Sequence, residues 1–189
     1  MKNALIVSYT GKSAALITEM LNDISVSQIT VLKSAKEARR LIMEQDFDLV
    51  IINPPLEDES GEILSRQIVS QSWSQVILAV DEKDFDAVSA ACEDDGVLTI
   101  SNPINREIFR LALLLAKSAD NRVKRIQAEN VQLKQKIEDI RIIDRAKCLL
   151  ISYLNLSEQD AHRFIEKQAM DLRSSRREIA EGVLKTYAS

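Results

Sequence analysis

The sequence predicts an α/β fold: a five-stranded doubly wound parallel sheet, then a long coiled-coil helix and a small C-terminal three-helix bundle. Three observations predict it. Over the first ~115 residues, short apolar runs alternate with stretches of helical spacing, giving five βα units. From Arg106 onward no proline or glycine appears until Gly182, and apolar residues step by three and four along that stretch. The last ~45 residues hold three amphipathic segments, each with one apolar stripe to bury.

Residues 2–8 contain Ala-Leu-Ile-Val, a continuous apolar run of the kind found in a strand covered on both faces. Residues 13–21 have helical spacing, 26–32 form a second, weaker strand, and 35–43 a second helix. The run Asp-Leu-Val-Ile-Ile-Asn at 48–53 is the clearest strand, and Pro54-Pro55 stops it because proline cannot donate to a ladder. Helix, strand and helix follow at 62–70, 75–80 and 85–92. Residues 97–100 are the fifth strand, ended by Pro103. Thr10-Gly11-Lys12-Ser13 after the first strand imitates a phosphate-binding loop, but the glycine required five residues before Gly11 is Ile6. Without that wide loop no amide cradle for a triphosphate forms.

The linker helix has a heptad seam. With Val123 at position a, Asn130 and Ile137 are also a, and Ile126, Leu133 and Ile140 are d; Ala116 and Ala119 extend the seam upstream. A buried asparagine at a costs stability but fixes register in a parallel two-stranded coil. The seam therefore predicts a homodimer, the alternative being that this face packs back on the chain's own sheet. The helix is expected to run from about Asn105 into the region of Leu154, ~75 Å at 1.5 Å per residue.

In the C-terminal segment, apolar residues recur at helical steps: Ile143, Ala146, Leu150, then Ala161, Phe164, Ile165, Ala169, then Ile179, Val183, Leu184. Ser157 is the expected N-cap of the second helix, with Glu158 and Asp160 in its first turn, and Ser174 or Ser175 that of the third. Basic residues gather here. Arg141, Arg145 and Lys147 lie on the first helix, Arg163 and Lys167 share a face of the second, and Arg173, Arg176 and Arg177 meet at the junction with the third. Arginine forks match phosphate oxygens bidentately and can stack on exposed bases, so the cluster suits contact with a polyanion. Any single member could equally be a solvated charge or half of an i,i+4 pair. Tyr153 could stack on a loop base or pack in the core, and His162 is expected to pack beside Phe164.

The order Arg145-Ala146-Lys147, Leu156-Ser157-Glu158 with Ala161, Phe164-Ile165, Ala169-Met170 and Ile179-Ala180 resembles the ANTAR domain, the RNA-binding module of AmiR/NasR-type transcription antiterminators. Cys148 departs from it, where that family usually has glycine. The resemblance implies binding to hairpin RNA with an exposed loop in nascent mRNA.

The N-terminal layout resembles the response-regulator receiver domain, with 48–53 as its third strand and Gly61 in the following loop. By that resemblance the phosphorylation chemistry is missing. Ser8 and Tyr9 stand where an acidic pair would hold Mg²⁺, which needs carboxylates. Asn53 stands at the phosphoacceptor position, and its amide is a poor nucleophile. Val80 replaces the hydroxyl residue of the fourth strand, and Asn102 the lysine before the fifth-strand proline. Glu57 and Asp58 lie nearby, past Pro54-Pro55. The expectation is a pseudo-receiver governed by a regulatory protein or ligand.

Composition agrees with a soluble, cytoplasmic regulator: 46% apolar and 29% charged residues, with no apolar run of membrane-spanning length. Aromatics are only 4%, which excludes a broad base-stacking platform. The net charge of −4 divides unevenly: residues 1–120 hold 11 Lys+Arg against 19 Asp+Glu, a balance of −8, and residues 121–189 hold 14 against 10, a balance of +4. Cys92 and Cys148 fall in different domains and read as reduced thiols. No Ser/His/Asp set, metal-ligand spacing or paired carboxylates point to an enzyme, and no cofactor or metal is expected.

The expected organisation is a pseudo-receiver at 1–118, a coiled-coil linker at 119–141 and an RNA-binding domain at 142–189. Two other classes stay open: a DNA-binding response regulator, since basic helical bundles also enter major grooves, and a purely structural interaction protein.

Overall fold

The computed structural model describes residues 1–22 and 26–187, so the expected end of the last domain at Ser189 lies outside the described residues. The chain divides into two compact units, Met1–Arg125 and Ile126–Ser189.

In the N-terminal unit five strands, β1 (Asn3–Ser8), β2 (Gln28–Leu32), β3 (Leu49–Asn53), β4 (Gln75–Asp81) and β5 (Leu98–Asn102), form one sheet in the order β2-β1-β3-β4-β5. Every neighbouring pair is parallel. Helices α1 (Gly11–Asn22), α2 (Ala35–Glu44), α3 (Glu62–Gln71) and α4 (Phe85–Glu93) are the crossovers, and α5 (Arg106–Leu154) follows β5. The continuous apolar runs have the expected cause. Ala4 and Ile6 of β1 enter one core with Ile17 and Leu21 of α1 and Phe109 and Leu113 of α5. Leu5 and Val7 enter the other with Ala35, Leu64 and Cys92 of α2, α3 and α4. A strand covered on both faces has no polar side to alternate with. The expected doubly wound sheet is therefore present, and β2 is shorter than the expected 26–32.

Local devices set the helix starts. Ser34 accepts the Glu37 amide to cap α2. Asn105 accepts the amides of Glu107 and Ile108 at 2.8 and 3.3 Å and starts α5. Gly61 starts α3 at φ 88°, and a Cβ there would lie 2.7 Å from Ile52 Cγ2, so both conformation and space require glycine.

Helix α5 is unbroken over 49 residues. Its first turns complete the sheet's core through Phe109, Ala112, Leu113 and Ala116. This corrects one expectation: Ala116 does not extend an open heptad seam, because it is fully buried against the chain's own sheet. Lys124 donates to Asp48 at 2.7 Å and to Asp120 at 2.9 Å, tying α5 to the segment before β3.

In the C-terminal unit the end of α5 packs with α6 (Glu158–Leu172) and α7 (Arg176–Tyr187). The first helix of the expected bundle is thus the continuation of the linker. Three alanines with no exposed surface, Ala146, Ala161 and Ala180, sit in the core with Leu150, Ile165 and Val183. Small side chains let three short helices approach closely. Ser157 accepts the Asp160 amide at 3.1 Å and caps α6 as expected. At α7 the capping residue is Ser175: it accepts the Glu178 amide at 3.2 Å, and Glu178 accepts the Ser175 amide at 2.8 Å, a reciprocal capping box. Bonds from Ser174 and Ser175 hold the Glu178 carboxyl below its ordinary range.

Candidate nucleic-acid interface

The eight basic residues singled out in the sequence fall into two groups. Four have carboxylate partners. The Lys147 ammonium lies 2.8 Å from Asp144 and 3.4 Å from Glu158 with its side chain only 16% exposed. Arg176 reaches Glu166 at 3.0 Å. Arg177 bridges Asp139 and Glu181 at 2.7 and 2.8 Å. Arg141 is 3.9 Å from Glu138, a loose pair on an exposed helix face. The other four, Arg145, Arg163, Lys167 and Arg173, are exposed and make no ion pair among the described residues. A paired cation must give up its partner before it meets a phosphate, whereas these four present a full charge already in water.

Local structure explains why. Arg163 and Lys167 are four residues apart on the outer face of α6, opposite the buried Ala161, Ile165 and Ala169. Arg173 ends α6 in the left-handed conformation at φ 50°, its amide donating to Ala169 and Met170, so its side chain leaves from a turn. The Arg145 position is exposed beside the buried Ala146.

Two expectations in this unit are overturned. Phe164 is not a core residue: it is 37% exposed, next to Arg163, because Ile165 takes the inward direction. His162 accordingly does not pack beside Phe164 in a core. It lies on the surface, 3.3 Å from Glu166 one turn along the helix. Tyr153, for which stacking and burial were both open, is 62% exposed, its ring centroid 5.4 Å from that of half-buried Tyr187. Sequence reasoning missed the acidic partners Asp139, Glu158 and Glu166. Glu181 could have been found from its i,i+4 spacing to Arg177, but Asp139 is 38 positions away.

Along α5 the seam residues Ile126, Leu133, Ile137 and Ile140 are 48–58% exposed, Val123 is half-buried, and Asn130 is exposed. The Asn130 amide donates to the Ile126 carbonyl at 3.1 Å, one turn back.

In the N-terminal unit the receiver positions meet at the carboxyl edge of the sheet. Ser8 and Asn53 are register partners across β1 and β3, and the Asn53 amide donates to Ser8 Oγ at 3.2 Å. Both are buried, and Asn53 Oδ1 has no hydrogen-bond partner among the described residues. Tyr9 is exposed, Val80 is buried near the end of β4, and Asn102 donates to Asp81 at 3.2 Å. An amide and a hydroxyl at the centre of this site offer Mg²⁺ no charged ligand. Asp58 serves elsewhere: it accepts the amides of Ala35 and Lys36 at 2.7 and 2.9 Å, at the start of α2. Desolvation raises its carboxyl pKa, but those amides outweigh it and hold the group below the ordinary range. Among the described residues no group of three or more His, Cys, Asp or Glu could hold a metal ion.

Residues 131–184, which include the end of α5, the capped α6 and α7 and the alanine-rich core, match the ANTAR domain family. This segment is an ANTAR domain. The whole chain is similar to the transcriptional regulatory protein PdtaR of Mycobacterium tuberculosis, with 25% identity over 173 residues, covering 92% of this chain and 84% of PdtaR. The N-terminal unit has the fold of receiver domains. A signal receiver domain of an HD domain-containing protein from Pseudomonas fluorescens Pf-5 matches with TM-score 0.58 at 20% identity, over 66% of this chain and 92% of that one. A response regulator receiver domain protein from Clostridium thermocellum matches with TM-score 0.57 at 19% identity, over 67% and 99%. The chain thus joins a segment that matches the ANTAR domain family to a unit with the receiver fold. Among the described residues no helix is long and apolar enough to cross a membrane.

Proposed function

We propose that this chain is a cytoplasmic transcription antiterminator that binds hairpin RNA in nascent mRNA as a dimer. The observation that carries the reading is the exposed set Arg145, Arg163, Lys167 and Arg173 on the ANTAR domain, without ion pairs among the described residues. These four make the phosphate contacts, while Lys147, Arg176 and Arg177 hold the surface in shape through their carboxylate partners. Phe164 and Tyr153 offer exposed rings to unpaired bases, which is how single-stranded RNA is read. Dimerisation proceeds through Val123, Ile126, Asn130, Leu133, Ile137 and Ile140, of which the four isoleucine and leucine side chains are otherwise open to water. The linker at 119–141 joins a receiver-like part at 1–118 to an RNA-binding part at 142–189.

The receiver-like unit acts without phosphorylation, through a partner protein or ligand that binds two of its conformations unequally. What supports this is the buried Ser8–Asn53 pair where metal ligands and a phosphoacceptor would be needed.

Binding to a hairpin RNA and to duplex DNA of the same sequence, compared at several salt concentrations, tests the reading. RNA preference with affinity falling as salt rises is the expected result. Preference for the duplex would favour a DNA-binding regulator, and failure to bind either at low salt an interaction protein.

A further inference from the structure

The receiver-like unit has a cavity that the RNA reading does not use. It opens between the loop after β3 and the loop after β4 and has a volume of about 350 Å³. That is near the lower bound of small-molecule sites, ~300–1,000 Å³. It lies at the carboxyl ends of parallel strands, the edge where sheets of this type receive their ligands.

The wall is apolar where it is deepest, with buried Leu78 and Val80 beside half-buried Pro54 and Val88. Around it stand Glu59, Glu62, Asp81 and Asp84, and among the described residues no lysine or arginine lines it. Two of these carboxylates are already engaged. Glu59 takes Arg39 at 2.6 Å, and Asp81 accepts the Asn102 amide at 3.2 Å. Glu62 makes no ion pair among the described residues, and Asp84 has only an exposed contact with Lys83 at 3.7 Å. Residues 1–120 hold 19 Asp+Glu against 11 Lys+Arg, so the surrounding field also favours a cation.

We propose that this cavity binds a small organic cation, an ammonium or amidinium group held by Glu62 and Asp84 with an apolar body against Leu78, Val80 and Val88. The proposal deepens the reading that a ligand governs the receiver-like unit, and it names the chemistry of that ligand. Binding is measured without RNA, so its failure leaves the RNA reading standing.

The test is calorimetry and ligand-observed NMR on the full chain at low salt, with benzamidinium and butylammonium as probes and benzamide and benzoate as shape-matched controls. The cations should bind, and the neutral and anionic controls should bind at least about tenfold more weakly. The double variant Glu62→Gln, Asp84→Asn keeps the shape and should weaken benzamidinium about tenfold. Val88→Phe, which fills the cavity and leaves every charge, should abolish binding, with circular dichroism confirming its fold. Glu37→Gln with Glu44→Gln, on α2 and outside the lining of this cavity, should change nothing. The proposal is overturned if benzamide binds as well as benzamidinium, or if no cation binds up to about 10 mM. It is equally overturned if the double variant and Val88→Phe, both folded, bind like wild type, or if only an arginine-containing peptide binds.

Discussion

Arg177 Nη1 donates to Asp139 Oδ1 at 2.7 Å, joining the first turn of α7 to a point on α5 that is 38 residues earlier in the chain. The same guanidinium holds Glu181, one turn along α7, through Nε at 2.8 Å, so the side chain is tied to its own helix as well as to α5. A planar fork with several donors can satisfy two carboxylates at once.

Arg177→Ala should therefore act on the fold of the ANTAR domain before it acts on RNA, lowering the urea midpoint of the C-terminal unit. The effect has a pH signature. Hydrogen bonds from Arg177 and then Gln135 hold the Asp139 carboxyl below its ordinary range. A carboxyl depressed in the folded state contributes stability above its unfolded pKa and loses it as pH falls through the folded value. Wild type should lose stability as pH drops below about 4, and Asp139→Asn should lose less over the same window. Equal acid sensitivity of the two proteins, read by urea titration, would show that the pair does not stabilise the fold.

The RNA surface is tested by Arg163→Ala and Arg145→Ala, with Lys83→Ala in the acidic unit as control. These positions are exposed, so stability should stay within about ±0.5 kcal/mol of wild type. Each should weaken hairpin binding and make the log–log salt slope shallower, by about 0.7 for every single-stranded phosphate the variant no longer neutralises. Fluorescence anisotropy between about 50 and 200 mM salt gives both numbers. Arg145 and Arg163 variants that bind like wild type across that range would show that the surface lies elsewhere.

Asn130→Leu should stabilise the proposed dimer and make it less uniform, because in a parallel two-stranded coil an asparagine at position a specifies register at a cost in stability. In the single chain its amide donates to the Ile126 carbonyl. Sedimentation at micromolar concentration reads the outcome. If wild type and variant are both monomers, the seam is not a dimer interface.

Acetyl phosphate with Mg²⁺ should leave the intact mass unchanged. Asn53 is buried against Ser8 with no carboxylate between them, and Asp58 is occupied with two backbone amides of α2. An acid-labile gain of one phosphoryl group, seen by intact-mass spectrometry, would show that another residue takes the phosphoryl role.

The sheet, its parallel class and the long helix could be read directly from the chain, because their causes are local or periodic. Apolar runs between breakers make strands, and a stretch free of proline and glycine from Arg106 to Gly182 permits one helix through Leu154. The cap at Ser157 was legible for the same reason, bonding three residues ahead, while for α7 the sequence left Ser174 and Ser175 open and the structure selects Ser175. Which side of a helix is inward was harder. Phe164 and Ile165 are both apolar and adjacent, and only the packing of Ala161, Ile165 and Ala169 decides that the phenyl ring faces water. Ala116 fits a heptad by spacing, yet the sheet covers it first.

Tertiary structure decided the state of the charges wherever the partner is distant in sequence. From the sequence, eight basic residues are equivalent donors to phosphate. Folding brings Asp139 to Arg177, Glu166 to Arg176 and Glu158 to Lys147, pairs separated by 38, 10 and 11 positions. Charge is a property of each residue, but its availability depends on which opposite charges the fold places within about 4 Å. Arg145, Arg163, Lys167 and Arg173 are left exposed without such a partner among the described residues. The sequence thus determined that the C-terminal unit would be basic and helical, through composition and period. Close packing of three helices determined which of its cations still face water unpaired.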